Sequence, residues 1–95
     1  MRIEQKLDEL GLVLPEAASP SSVIRTPFTW VRVRGNRAYI AGHGTRNPDG
    51  TAAGPFGKVP SEVSLEDAQA AAKQVALAIL GSLKRELGDL DRVTA

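Results

Sequence analysis

No cysteine occurs in this chain of 95 residues. That excludes a disulfide framework, a thiol nucleophile and any cysteine-based metal centre. Histidine occurs once, at His43, and aromatic residues are scarce, with one Trp, one Tyr and two Phe. Long apolar runs are also missing. The longest, "VALAIL" at Val75–Leu80, falls far short of the roughly 20 residues that a membrane-spanning helix needs. The opening "MRIEQKLDEL" places Glu4, Asp8 and Glu9 where a secretory leader requires an apolar centre. An excess of either charge is absent too: 12 Lys and Arg stand against 11 Asp and Glu, a net charge of +1. Such a balance supplies no electrostatic reason to expect nucleic acid or an anionic membrane as the main partner. A reducing cytoplasm is the expected location, and the length sets an upper bound of one domain with one modest core.

Against this sparse background the stretch "FTWVRVRGNRAYIAGHG", Phe28 to Gly44, stands out. Two β-like runs flank Gly35-Asn36, a pair suited to a two-residue hairpin loop because Gly takes positive φ without a Cβ clash and Asn tolerates the left-handed region. With that loop, Arg34 faces Arg37, Val33 faces Ala38, Arg32 faces Tyr39, Val31 faces Ile40, Trp30 faces Ala41 and Phe28 faces His43. Alternation puts Val31, Val33, Ala38 and Ile40 on one face, the expected core. Phe28, Trp30, Arg32, Tyr39, Ala41 and His43 fall on the other. That face ends at Gly42 and Gly44, where a ligand has room to approach the backbone, and it is the candidate site. Arg32, Arg34 and Arg37 cluster near the tip, which reads as a solvated turn that discourages edge pairing rather than as a nucleic-acid patch.

Elsewhere Ile3, Leu7 and Leu10 recur at helical spacing, and Gly11 sits where a left-handed residue would close a short helix. The segment from Leu12 to Pro27 contains Pro15, Pro20 and Pro27 and reads as an irregular connection, with Val23 and Ile24 candidates for a sheet edge. From Arg46 to Ser64 the chain is loop chemistry, with a tight turn at Pro48-Asp49-Gly50 and Phe56 expected to pin the loop. Ser64 caps the strongest element, a helix predicted from about Leu65 to Leu87. Asp67 is at the third position, Glu66 lies near the positive end and Gly88 supplies the stop. Its apolar stripe is Ala68, Ala72, Val75, Ile79 and Leu83, widened by Ala71, Ala76, Leu80 and Leu87. The close of the chain, "DLDRVTA", reads as the lead-in to a strand from Val93. One hairpin beside one long helix is marginal in water, so the pattern reads as the first part of a larger unit.

The run "PFTWVRVRGNRAYIAGHG" resembles, without a gap, the signature of the RidA/YjgF family: Pro-Tyr-Ser, an apolar run, Gly-Asn, a second apolar run, then Ser-Gly-Gln. "NPDG", "GKV", the Ala-rich helix and "LGDLDRV" are similar to its longer subgroup, often labelled the endoribonuclease L-PSP family. The resemblance implies an α+β, chorismate-mutase-like fold, a homotrimer with clefts between subunits, and hydrolysis of enamine or imine intermediates such as 2-aminoacrylate to a keto acid and ammonia, without metal or cofactor. Its aromatic site tyrosine falls on Phe28, its serine on Ala41, its glycine on Gly42 and its glutamine on His43. With Trp30, these form the expected small-molecule-binding set. The family's carboxylate-gripping arginine and water-positioning glutamate have no counterpart, because the chain stops before the third strand and second long helix. No catalytic residue is assigned, and residues 1–95 read as a RidA-like domain incomplete at its C-terminus, inactive by itself. The competing expectation is a non-catalytic small-molecule binder or oligomeric scaffold of the same fold. A ribonuclease role ranks third, since the near-zero net charge and the lack of a paired acid and base give it no support.

Overall fold

The computed structural model describes residues 2–17 and 29–95. In chain order these form α1 (Arg2–Glu9), β1 (Val31–Arg34), β2 (Arg37–Ile40), α2 (Leu65–Leu87) and a 3₁₀ turn at Leu90–Arg92, a small α+β arrangement. Two expectations, the sheet edge at Val23 and Ile24 and the placement of Phe28, lie outside the described residues.

β1 and β2 pair antiparallel in the register expected from the loop, from Val31↔Ile40 to Arg34↔Arg37. Gly35 has φ +60, and no non-Gly residue among those described has positive φ. Asn36 therefore does not enter the left-handed region. A primed turn with positive φ only at its first central residue needs Gly there and nothing special next, which is what Gly35-Asn36 provides.

The expected core face is half realised. Val31 is 2% exposed, whereas Ile40 is 44% exposed; Val33 is half-buried and Ala38 exposed. α2 packs on β1, and β2 is the outer strand of a two-stranded sheet, so its apolar side chains border an open groove of about 900 Å³ with Leu83, Leu87 and Val93. The core proper joins Val31 to Leu7, Leu77, Leu83 and Leu90, with Ile3, Leu12 and Leu14 packed around it.

α2 begins and ends where its caps dictate. Ser64 Oγ accepts from the Asp67 N–H at 3.1 Å, and the Gly88 N–H donates to the Lys84 carbonyl at 2.7 Å. Its buried arc differs from the predicted stripe. Ala72 and Ala76 are exposed, and Leu77, Ala78, Gly81, Ser82 and Leu83 are buried. The cause is length. A 23-residue helix runs about 35 Å at 1.5 Å per residue, while strands of 4 residues cover only about 13 Å. Burial is therefore concentrated in one stretch of the helix.

α1 closes by a pair of bonds typical of a left-handed stop: Leu12 N–H to Leu7 O at 2.9 Å and Gly11 N–H to Asp8 O at 3.0 Å, with Gly11 at φ +70. This arrangement brings Leu12 beside Leu7 in the core, and Leu10, expected on the apolar stripe, is left 59% exposed. The start of α1 is capped from the far end of the chain. Asp91 accepts from the Arg2 N–H at 2.6 Å and the Ile3 N–H at 3.0 Å, and Glu4 in return accepts from the Leu90 N–H at 3.1 Å. Val93 is extended but pairs with no strand among the described residues, so the predicted strand lead-in is instead a 3₁₀ turn with a short extended tail.

The clasp makes α1 sensitive to acid. The Arg2 and Ile3 amides, then the charges of the N-terminus and of Arg2, hold the Asp91 carboxyl below its ordinary 3.8. A depressed carboxyl contributes stability above its unfolded value and loses it as pH falls through the folded one. We expect the Arg2 and Ile3 amides to lose hydrogen-exchange protection below about pH 4, and Asp91→Asn to weaken that protection at neutral pH and flatten its pH dependence. Unchanged protection in the variant would remove the capping role.

The loop after the hairpin is not pinned by Phe56, which is 79% exposed. Local hydrogen bonds hold it instead. Arg46 and Ala52 form a bridge, the Asn47 N–H donates to Thr51 O and the Gly50 N–H to Asn47 O. Asp49 accepts from both the hydroxyl and the N–H of Thr51, bonds that lower its pKa, the hydroxyl contributing most. The Glu16 N–H donates to Pro48 O at 2.8 Å, tying the 12–17 segment to this turn, and Val63 fills the loop's apolar position at 6% exposure.

Candidate small-molecule site where the hairpin meets the long helix

Past Ile40 the ladder continues for one bond, Ala41 N–H to Trp30 O at 2.9 Å, and then residues 41–45 leave the sheet. That departure decides where His43 goes. It was expected on the face away from the helix. Instead its Nε2 lies 2.8 Å from the Ser82 Oγ of α2. Strand alternation holds only while the chain remains pleated, and the Ala41-Gly42 step ends the pleat.

The hydrogen bonds around His43 run in one direction. Its Nδ1 is 2.7 Å from the Ala41 carbonyl, which can only accept. In the neutral ring Nδ1 therefore carries the proton, and Nε2 accepts from the Ser82 hydroxyl. Ser82 Oγ in turn accepts from Arg85 Nη2 at 3.2 Å, and Arg85 Nη1 donates to the Pro15 carbonyl at 3.0 Å. Partial desolvation lowers the Arg85 pKa from its ordinary value, yet a guanidinium stays charged. Trp30 completes the junction. Its ring centroid lies 5.0 Å from that of His43 at an interplanar angle of 51°, and the Arg46 guanidinium sits 5.6 Å from its centroid, within cation–π range.

Of the residues singled out in the sequence, Trp30 and His43 meet in one pocket with Pro15, Glu16, Arg46, Ala78, Ser82 and Arg85. Ala41 enters through its carbonyl. Gly42 is exposed, and a Cβ added there meets nothing within 4 Å, so no wall of this chain presses on it. Phe28 lies outside the described residues.

A serine hydroxyl donating to an imidazole is the pairing that activates nucleophiles. Here Ser82 is 7% exposed on the helix, and the enclosed part of the pocket is about 10 Å³, room for one water-sized group. That space is too small for an acyl group to be attacked there, so the chain of bonds works as a strut between hairpin and helix. Breaking such a buried bond and leaving its partner unsatisfied costs about 1–3 kcal/mol.

Ser82, Arg85, Arg46 and Pro15 were not anticipated. One signal was available: Ser82 is seven positions after Val75 and four after Ala78, a polar residue on an apolar arc, which demands a buried partner. Arg46 and Pro15 reach the pocket through loop paths that carry no periodicity.

No family model matches the chain, and no solved structure matches it. It is 30% identical over 92 residues to Protein TCP17 of Trypanosoma cruzi, an alignment that covers 97% of this chain and 54% of that protein. The chain thus spans about half the length of this curated relative. Among the described residues no helix is long and apolar enough to cross a membrane.

Proposed function

We propose that this chain supplies the hairpin side of a small-molecule cleft of the RidA/YjgF type, within a chorismate-mutase-like α+β fold. The observation that carries this reading is the hairpin register about Gly35-Asn36. It sets Ala41, Gly42 and His43 at the strand exit, the positions of the family's Ser-Gly-Gln, with a long capped helix behind. On this reading the open groove beside β2 is covered by further strands, and clefts form between subunits of a trimer.

The reaction is hydrolysis of 2-aminoacrylate, an enamine: a proton leaves nitrogen and one is gained at C3 to give the 2-imino acid, water adds to its C=N carbon, and the resulting carbinolamine expels ammonia to leave a keto acid. The chain's own share is modest. The exposed Gly42 backbone offers an amide and a carbonyl at the strand exit, and the His43 bond to Ser82 ties that exit to α2. The experiment is to generate 2-aminoacrylate enzymatically and follow pyruvate and ammonia release with the full product of this reading frame. At least tenfold acceleration over the uncatalysed rate is expected; a folded protein giving none would end the deaminase assignment.

One observation favours a second reading, a non-catalytic binder of the same fold. Both ring nitrogens of His43 are engaged, by Ala41 O and Ser82 Oγ, so the ring has no free site with which to move a substrate proton.

A further inference from the structure

The two guanidiniums at the hairpin–helix junction form no ion pair with any of the described residues. Among the described residues the ion pairs are Arg2–Asp91 and Lys6–Glu9, so neither Arg46 nor Arg85 is paired, although both line one pocket with Trp30, His43 and Glu16. Placing two like charges beside a desolvating aromatic ring is unfavourable unless an anion offsets it.

From this we infer that Arg46 and Arg85, backed by Trp30, form a binding site for a small monocarboxylate. Arg85 is held in place by its bonds to Pro15 O and Ser82 Oγ, which use two of the five protons on a guanidinium and leave three to donate. The Arg46 guanidinium sits 5.6 Å from the Trp30 centroid and makes no hydrogen bond through its side chain to the described residues, so its five protons remain to donate. The enclosed volume of about 10 Å³ takes one carboxylate oxygen and nothing larger, so the body of the ligand stays at the mouth, beside the half-buried Trp30. The charge selects a monoanion. Two guanidiniums and the exposed Glu16 carboxylate leave one positive charge at the rim, which a carboxylate neutralises and a phosphate dianion over-compensates. This site lies on the helix side of the hairpin and does not depend on the deaminase reading.

The test is a titration of the ¹⁵N-labelled 95-residue chain with sodium pyruvate, read at the Trp30 indole and the Arg46 and Arg85 side-chain signals, with sodium chloride, phosphate and uncharged pyruvamide in parallel. Saturable shifts at these three residues are expected with pyruvate, with a dissociation constant on the order of 1 mM. Pyruvamide and chloride should give none that saturate, and phosphate should bind more weakly. Arg46→Gln should weaken pyruvate about tenfold or more. Arg34→Gln, a change at the hairpin tip, should leave it unchanged. Equal response to pyruvate and pyruvamide, or to pyruvate and chloride, overturns the site, as does undiminished binding in a folded Arg46→Gln variant. A chain that binds pyruvate yet whose full product releases none from 2-aminoacrylate keeps the site and loses the deaminase reading; the opposite pair of results does the reverse.

Discussion

Leu90→Ala lowers the stability of the chain by about 3 kcal/mol. Leu90 is 0% exposed, the one side chain among the described residues that is buried completely, and the 3₁₀ turn that bears it touches both α1 and α2. Its removal leaves a void among Leu7, Val31, Leu77 and Leu83. These belong to three separate elements, so no shift of one element alone closes the void, and the cost sits near the middle of the roughly 2–5 kcal/mol seen for buried Leu→Ala. Urea unfolding followed by Trp30 fluorescence and circular dichroism measures it. Leu10→Ala is the internal control: the same chemical change at 59% exposure is expected to stay within about 0.5 kcal/mol. A Leu90→Ala loss below about 1 kcal/mol would mean that the turn does not close the core.

Gly50→Ala costs about 3 kcal/mol and acts at a distance from the core. Gly50 has φ +89, and a Cβ on it overlaps the Ala17 carbonyl oxygen and comes within 3.1 Å of Glu16 O. A left-handed L-residue alone costs about 1–2 kcal/mol. The overlap is with backbone rather than with the end of a flexible side chain, so the 12–17 segment must lift. Lifting it breaks the Glu16 N–H to Pro48 O bond and moves Pro15 O, which anchors Arg85. Loss of protection at the Glu16 amide and a shift of the Arg85 side-chain resonance should therefore accompany the lowered stability. Gly44→Ala, whose added methyl meets nothing within 4 Å, should show neither. Equal behaviour of the two variants would mean that the segment does not rest on the turn.

These two predictions rest on different kinds of legibility. The Schellman-type close of α1 and both ends of α2 could be read in advance because each is decided within a few residues: a glycine for positive φ, or a serine for an N-cap. The hairpin register followed from a two-residue loop for the same reason. The Asp91 clasp on α1 could not be read, since the partners are 88 and 89 residues apart and an aspartate near a chain's end carries no mark of which amides it will accept. The exposure of Phe56 was equally hidden, because an aromatic in a loop is buried only if another element arrives to cover it.

The site divides along the same line. Trp30, Ala41 and His43 were recognisable as a cluster because strand pairing is a local rule and brings both strand ends together. The side of the sheet on which His43 would settle was not, because the rule lapses where the pleat stops, and the ring is then held between the Ala41 carbonyl and Ser82 from across the fold. By itself the amino-acid order determined the two helices, the turn and the pairing, all of them matters of backbone preference over short spans. Only the tertiary structure decided which face of α2 is covered, where Arg46 and Arg85 converge and what fills the core, because those outcomes depend on how elements of unequal length share one small buried volume.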